Sequence, residues 1–294
     1  MENIGFFIVD VFAEKKYSGN QLAVISDANN LSDIEMQKIA NEMHFSETTF
    51  IFGFKQSNGG YAARIFTPAT EVPFAGHPTL GTAYVINHFL APKQAREIIL
   101  NLKAGQIRVV FEKNQSGEEI LWMKQLPPVF GRTFDPARIC DLLGLDKSDF
   151  DSRYPIQEVS TGLPFVIVPL KSLSAVKRAK VNLNANVQLM QEIQAGILVF
   201  SPETYNKENN LNVRVFVDVF GIPEDPATGS GNGCLAAYLT KNLYFGDSKV
   251  DVKVEQGYEI NRPSLLYLKA KMKDGEIEVS VGGQVIFIGK GELV

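Results

Sequence analysis

The sequence predicts an α+β protein made of two pseudo-equivalent halves, and three observations carry that prediction. Short β-branched and aromatic runs, bounded by turn residues, recur along the chain and are broken by only a few helical patterns. Motifs of the first half return in the second in the same order. Gly19 is matched by Gly162, Arg64 by Arg214, Glu71 by Glu224 and Gly76 by Gly229, at separations of 143, 150, 153 and 153 residues. Separations that grow slowly and never reverse are what a diverged duplication with small insertions leaves behind. Finally, each half carries a glycine-containing turn, Glu71 to Gly76 and Glu224 to Gly233, between a strand pattern and a helix pattern.

The elements follow in order. Ile4 to Ala13 reads as a strand, and Ser18-Gly19-Asn20 turns it into a second, Leu22 to Ile25. Ser32 and Glu35 fit a capping box, and Ile34, Ile39, Ala40 and Met43 give spacings for one apolar helix face. Strands are expected at Thr48 to Phe52 and Tyr61 to Thr67, then a helix from His77 with Pro78 in its first position. Further strands read at Glu97 to Leu102, Gln106 to Glu112 and Ile120 to Lys124, and the chain crosses into a second domain near Pro127-Pro128. Asp135-Pro136 opens a helix that runs to about Leu143 and stops at Gly144. Pro164 to Val168 and Val213 to Val219 read as strands, with a polar, partly helical stretch between them ending near Gln194. A helix is expected over Cys234 to Leu243, and short strands close the chain beyond Val250.

Composition narrows the function. With 294 residues and 45% hydrophobic content the chain can build two ordinary cores. A net charge of -4 and no long basic run argue against nucleic acid or an anionic membrane as partner, so a small molecule is expected. No apolar run approaches a membrane span and no signal peptide is evident. Cys140 and Cys234 are isolated, which suits a cytoplasmic protein and offers no zinc motif. His44 and His88 lack acidic or cysteine partners at ligand spacing, so no metal is assigned.

The candidate chemistry sits at the junctions. A helix N-terminus after a glycine turn points unpaired N–H groups and a positive dipole end at a ligand, which suits a carboxylate or a developing enolate. Two such ends facing one cleft, with a carboxylate base nearby, would make a site for removing a proton next to a carbonyl or carboxylate. Glu47 lies between Ser46 and Thr48 where a helix hands over to a strand, and partial burial there would raise its pKa toward the useful range. The plain alternative is a solvated strand-end glutamate. Asp225 serves equally well as a helix cap or as a participant in catalysis. His77 is a proton carrier or a packed side chain at a helix start. Glu71 and Glu224 read as structural turn residues. Gly229, Gly231 and Gly233 miss the Rossmann spacing, and no Walker lysine follows them.

Taken together, Ser18-Gly19-Asn20, Phe45-Ser46-Glu47-Thr48, Phe66-Thr67-Pro68, Phe74-Ala75-Gly76-His77-Pro78 and Asp225-Pro226-Ala227-Thr228-Gly229-Ser230 resemble the PhzF-like isomerases of the diaminopimelate-epimerase-like fold. The resemblance implies two domains, each a curved, mostly antiparallel sheet wrapped around a central helix. Residues 1–125 plus about 281–294 would form the first domain and about 126–280 the second. It also implies a cofactor-independent isomerase that shifts a proton on a small carboxylate-bearing metabolite. Glu47 would be the acid/base, assisted by His77, Asp225 and Ser230, with Asn20, Gly76, Gly229 and Gly231 binding substrate. The paired cysteines of the related epimerases are replaced here by Ala75 and Thr228, which disfavours two-thiol chemistry. A homodimer is in keeping with the resemblance. The competing expectation is a binding protein that keeps the cleft without the reaction.

Overall fold

The computed structural model describes residues 4–182, 189, 192–218 and 222–294. Two compact units emerge: Met1–Lys124 with Gly282–Val294, and Gln125–Val281. Both are α+β, and in each a curved, mostly antiparallel sheet wraps a central helix.

In the first unit β1 (Ile4–Val11) lies antiparallel between β18 (Val285–Leu293) and β2 (Asn20–Ile25). β2 runs parallel to β3 (Glu47–Phe52), which pairs antiparallel with β4 (Tyr61–Phe66). The short β5 (Glu71–Val72) and the parallel β6 (Glu97–Leu102) both lie on β4, and β7 (Gly105–Lys113) and β8 (Glu119–Lys124) extend the sheet antiparallel. The central helix α2 (Gly76–Val85) packs against β1, β2, β3, β6, β7, β8 and β18. Its sequence explains how it fits there. Small and apolar residues occupy it on every side, so it is buried all round except at Tyr84.

The second unit repeats this plan strand for strand. β10 (Ile156–Ser160) lies antiparallel between β9 (Val129–Phe134) and β11 (Pro164–Pro169), and β11 runs parallel to β12 (Gly196–Ser201). β13 (Leu211–Val217) pairs antiparallel with β12 and β14 (Ile222–Asp225) and parallel with β15 (Lys249–Gln256), which pairs antiparallel with β16 (Ser264–Lys273). β17 (Glu276–Gly283) follows. Here the central helix, the last of five labelled here, is α5 (Gly229–Lys241), packed against β10, β11, β12, β15 and β16.

The other helices are α1 (Asp33–Met43), α3 (Pro136–Leu143) and α4 (Leu173–Arg178). In α1 the Ser32 Oγ accepts from the Glu35 N–H while the Glu35 carboxylate accepts from the Ser32 N–H, so the capping box is formed. Its apolar face differs from the expected one. Met36, Ile39, Ala40 and Met43 pack inward and Ile34 is exposed, because at about 100° per residue Ile34 falls on the face opposite Met36 and Met43. Asp135 caps α3 by accepting from the Ala137 N–H, and Gly144 ends it in the left-handed region.

Three boundaries depart from expectation. Pro78 is the third residue of α2 rather than its first, a position it tolerates because first-turn N–H groups have no helical partner anyway. α5 begins at Gly229, five residues before Cys234, so its glycines form the helix's opening turns and not a loop. Tertiary packing outweighs their weak helix propensity. Strands β9, β10 and β12 were not foreseen. α4 lies within the partly helical stretch expected to end near Gln194, part of which falls outside the described residues, as does Val219. Among the described residues no helix is long and apolar enough to cross a membrane.

Candidate active site

One cluster of candidate residues forms in the first unit. Strand order brings the start of β2 beside the start of β3, with Leu22 opposite Glu47 in the parallel register. The N-terminus of α2 lies against the same two strands. The His77 Nε2 is 3.3 Å from the Gln21 carbonyl and 3.5 Å from the Glu47 Oε2. The Gln21 carbonyl can only accept, so Nε2 carries the proton and donates it there, with the Glu47 carboxylate beside the same nitrogen. Burial pushes the His77 imidazole down to about 3, against a smaller upward pull from the Gln21 carbonyl, so the ring is neutral at physiological pH. The Glu47 side chain is 16% exposed and that of His77 6%, and the Glu47 Oε2 that faces the imidazole is itself buried. Asn20, buried as the first residue of β2, and Gly76, the first residue of α2, complete the cluster. Ala75 stands at the N-cap and supplies no side-chain cap.

A second cluster forms in the second unit, at the end of β14 and the start of α5. Asp225 is buried and its Oδ2 accepts a hydrogen bond from the Thr228 hydroxyl at 2.5 Å. Thr228 is the N-cap of α5, yet its side chain is turned to Asp225 instead of capping the helix. The opening turn at Gly229, Ser230 and Gly231 is left without a side-chain cap from its N-cap residue. Ser230 is half-buried, and Gly229 and Gly231 are buried.

Glu71 and Glu224 belong to the framework. The Glu71 carboxylate takes Arg64 Nε and Nη2 at 2.8 and 2.9 Å, and the Glu224 carboxylate takes Arg214 Nε and Nη2 at 2.9 and 2.8 Å. Each guanidinium also lies over the phenylalanine two residues on, Phe66 or Phe216. The duplication thus reaches down to a bidentate ion pair.

The glutamate of the Glu47–His77 pair is not duplicated. Leu22 pairs with Glu47 in the first unit, and Phe165 pairs with Gly196 in the second. A Cβ on Gly196 would lie 2.4 Å from the Phe165 ring, so the aromatic side chain has taken the space beside the position where the first unit keeps its acid. Phe165 and Gly196 escaped sequence reasoning because their meaning depends on the strand register.

The cysteines lie away from both clusters. Cys234 is buried in α5 beside Thr161, and burial pushes its thiol up to about 12. His88 is tied to Glu119 and Gln94. Among the described residues no group of three or more His, Cys, Asp or Glu side chains is gathered as a metal ion would require.

A curved sheet around a helix, built twice, is also the fold of a solved PhzF-family protein. The chain belongs to the phenazine biosynthesis-like protein family, whose model matches residues 9–291. It is 34% identical to a trans-2,3-dihydro-3-hydroxyanthranilate isomerase from Pseudomonas fluorescens, over 98% of this chain and 99% of that protein. An uncharacterized isomerase from Clostridium acetobutylicum is 33% identical over 97% of this chain and 96% of its own. A crystal structure of a PhzF-family phenazine biosynthesis protein from Bacillus anthracis superposes with a TM-score of 0.91 at 29% identity, covering 100% of both chains. A hydroxyproline epimerase from Agrobacterium vitis shares the fold alone, with a TM-score of 0.62 at 12% identity over 100% of this chain and 91% of that one. The protein is accordingly an isomerase.

Proposed function

We propose that the protein catalyses a cofactor-independent proton shift on a small carboxylate-bearing metabolite. Glu47 takes a proton from the carbon next to the activating group. The neutral His77, with Nε2 beside that carboxylate, supports it as the charge moves. The N–H groups of the opening turns at Gly76-His77 and Gly229-Ser230-Gly231 receive the anionic groups of the substrate, and Asn20 adds a polar contact. Asp225 accepts a hydrogen bond from a polar group of the substrate, and Ser230 lends a hydroxyl beside it. Glu47 or His77 returns the proton at another position.

The observation that carries this reading is the approach of Glu47 to a buried, neutral His77, with glycine at the equivalent of Glu47 in the other unit. A single carboxylate suits a shift in which one base lifts a proton and then delivers it, in contrast to a pair of opposed bases. The relatives named trans-2,3-dihydro-3-hydroxyanthranilate isomerase make that compound the first probe, since it carries the carboxylate that the reading requires. In deuterium oxide the wild-type protein is expected to place deuterium in the turned-over probe. Glu47→Gln is expected to lower the exchange rate about 10²- to 10⁴-fold. Full exchange by that variant removes Glu47 from the base role.

A further inference from the structure

The Asp225 carboxylate is embedded in a buried network that the motif itself does not contain. Gln256, the last residue of β15, is fully buried. Its Nε2 donates to the Asp225 carbonyl at 2.7 Å and to the Thr228 Oγ1 at 3.0 Å, and its Oε1 accepts from the Thr228 N–H at 3.1 Å and from the Asn232 Nδ2 at 2.8 Å. The amide is held in one orientation, because a backbone carbonyl can only accept and a backbone N–H can only donate. The direction of the next bond follows. Thr228 Oγ1 receives a hydrogen from Gln256, so its own hydrogen goes to Asp225 Oδ2. Asp225 is thereby fixed as an acceptor at that oxygen.

The first unit shows that the fold does not need this network. The 153-residue separation places Val72, Ala75 and Thr79 at the equivalents of Asp225, Thr228 and Asn232. The parallel pairs Tyr61–Leu100 and Leu211–Val254 place Leu102 opposite Gln256 in the comparison. One link survives there, as the Thr79 Oγ1 donates to the Ala75 carbonyl much as Asn232 Nδ2 donates to that of Thr228. The rest is replaced by apolar side chains. Buried polar networks are demanding to build, because every member must be satisfied. One half keeps such a network while its twin folds without it, so its purpose lies in what it holds. The backbone is shaped to the same end. Gly257 has φ +78, and a Cβ there would lie 2.6 Å from the Pro226 carbonyl oxygen, which lets the end of β15 press against the turn that carries Asp225.

We propose that Gln256 is a positioning residue that acts through Thr228 to aim the Asp225 carboxylate as a hydrogen-bond acceptor beside the opening turn of α5. The inference rests on the reading that Asp225 serves the reaction, and two kinds of measurement separate the two. In the deuterium-exchange assay above, with the same probe, Gln256→Leu and Thr228→Ala are each expected to lower kcat roughly 10- to 100-fold. KM should change little, Thr228→Ser should restore most of the rate, and combining Thr228→Ala with Asp225→Asn should cost no more than Asp225→Asn alone. Crystal structures of Gln256→Leu and Thr228→Ala are expected to show the Asp225 side chain swung from its place. A purely structural role would lower thermal stability yet leave kcat per folded molecule and the Asp225 position as they are, and that result overturns the proposal. If Asp225→Asn keeps full activity, the role of Asp225 in the reaction fails. The two crystal structures then decide the positioning alone, and an unmoved Asp225 overturns it.

Discussion

Replacing Glu224 with Gln, and separately Glu71 with Gln, perturbs the same bidentate ion pair in the two units, and the structure predicts unequal costs. Arg214 and Glu224 have side chains only 10% and 11% exposed, while those of Arg64 and Glu71 are 28% and 18% exposed. The surroundings differ further. Arg64 keeps a second acid, since its Nη1 lies 2.7 Å from Asp33 Oδ1 in solvent reach. Arg214 Nη1 instead donates to the carbonyls of Val176, Lys177 and Ala179, closing the end of α4. These carbonyls satisfy its hydrogens but bring no countercharge.

Glu224→Gln therefore leaves a buried guanidinium without its carboxylate, a situation that costs about 3–5 kcal/mol. Glu71→Gln leaves Arg64 partly hydrated and still paired, for about 1 kcal/mol. At roughly 2–4 °C per kcal/mol for a unit of this size, Glu224→Gln should lower the melting midpoint by about 10 °C and Glu71→Gln by about 3 °C. Differential scanning calorimetry on the purified full chain reads both. The double replacement Arg214→Met with Glu224→Leu should recover much of the loss, because it removes the stranded charge. Equal losses for the two single variants, or a larger loss for Glu71→Gln, would refute the reasoning from burial.

Three further outcomes are expected. His77 titrates near 3 in the folded protein against about 6.5 when unfolded, so the unfolded chain binds more protons between those values and stability falls as pH falls through that window. From pH 6 to pH 5 this group alone contributes about 1.2 kcal/mol of loss, which urea titrations should show for wild type and show diminished for His77→Gln. Cys234, with its thiol pushed up to about 12, should resist alkylation by iodoacetamide at pH 8 in the native state, and rapid modification with loss of activity would reopen thiol chemistry. Gly196→Ala should cost about 1–3 kcal/mol through the clash with Phe165, and Phe165→Leu, the residue type of the first unit, should relieve it in the double variant by thermal denaturation.

What could be read from the chain was whatever local physical chemistry determines. The Ser32–Glu35 box, the Asp135 cap and the alternating runs of β4, β6 and β7 announce themselves within a few residues. The repeated Arg-x-Phe and Glu of the two halves proved to be one duplicated ion pair. What was hidden depends on neighbours distant in sequence. Ile34 lies on the solvent side of α1, opposite Met36, and the glycines of α5 read as a turn because only surrounding strands make that helix worthwhile. β12 is a fully buried run, Gly196–Ser201, without the alternation that marks a half-exposed strand. Of the site, the acid and imidazole stand 30 residues apart and meet only because β2 and β3 lie parallel under the start of α2. Gln256 reaches the Asp225 turn from another strand, with no motif around it beyond the glycine that follows.

Duplication makes the chain its own control. Where both halves keep a feature, as with Arg64–Glu71 and Arg214–Glu224, the shared fold is sufficient reason for it. Where one half has a feature and the other a different kind of side chain, the fold cannot be the reason, since the same backbone plan stands without it. By that criterion the framework pairs are structural, and three asymmetries are left for function: Glu47 against Gly196, His77 against Ser230, and the Asp225–Thr228–Gln256 network against Val72, Ala75 and Leu102. The first two give one unit an acid with a fixed donor at its side. The third gives the other unit a carboxylate held as an acceptor. A symmetric pair of bases would serve a reaction that takes a proton from one face and returns it to the other. An acid present in one unit only does not supply that pair and suits instead a proton carried between two positions on one substrate, which is the distinction between an epimerase and the isomerase proposed here.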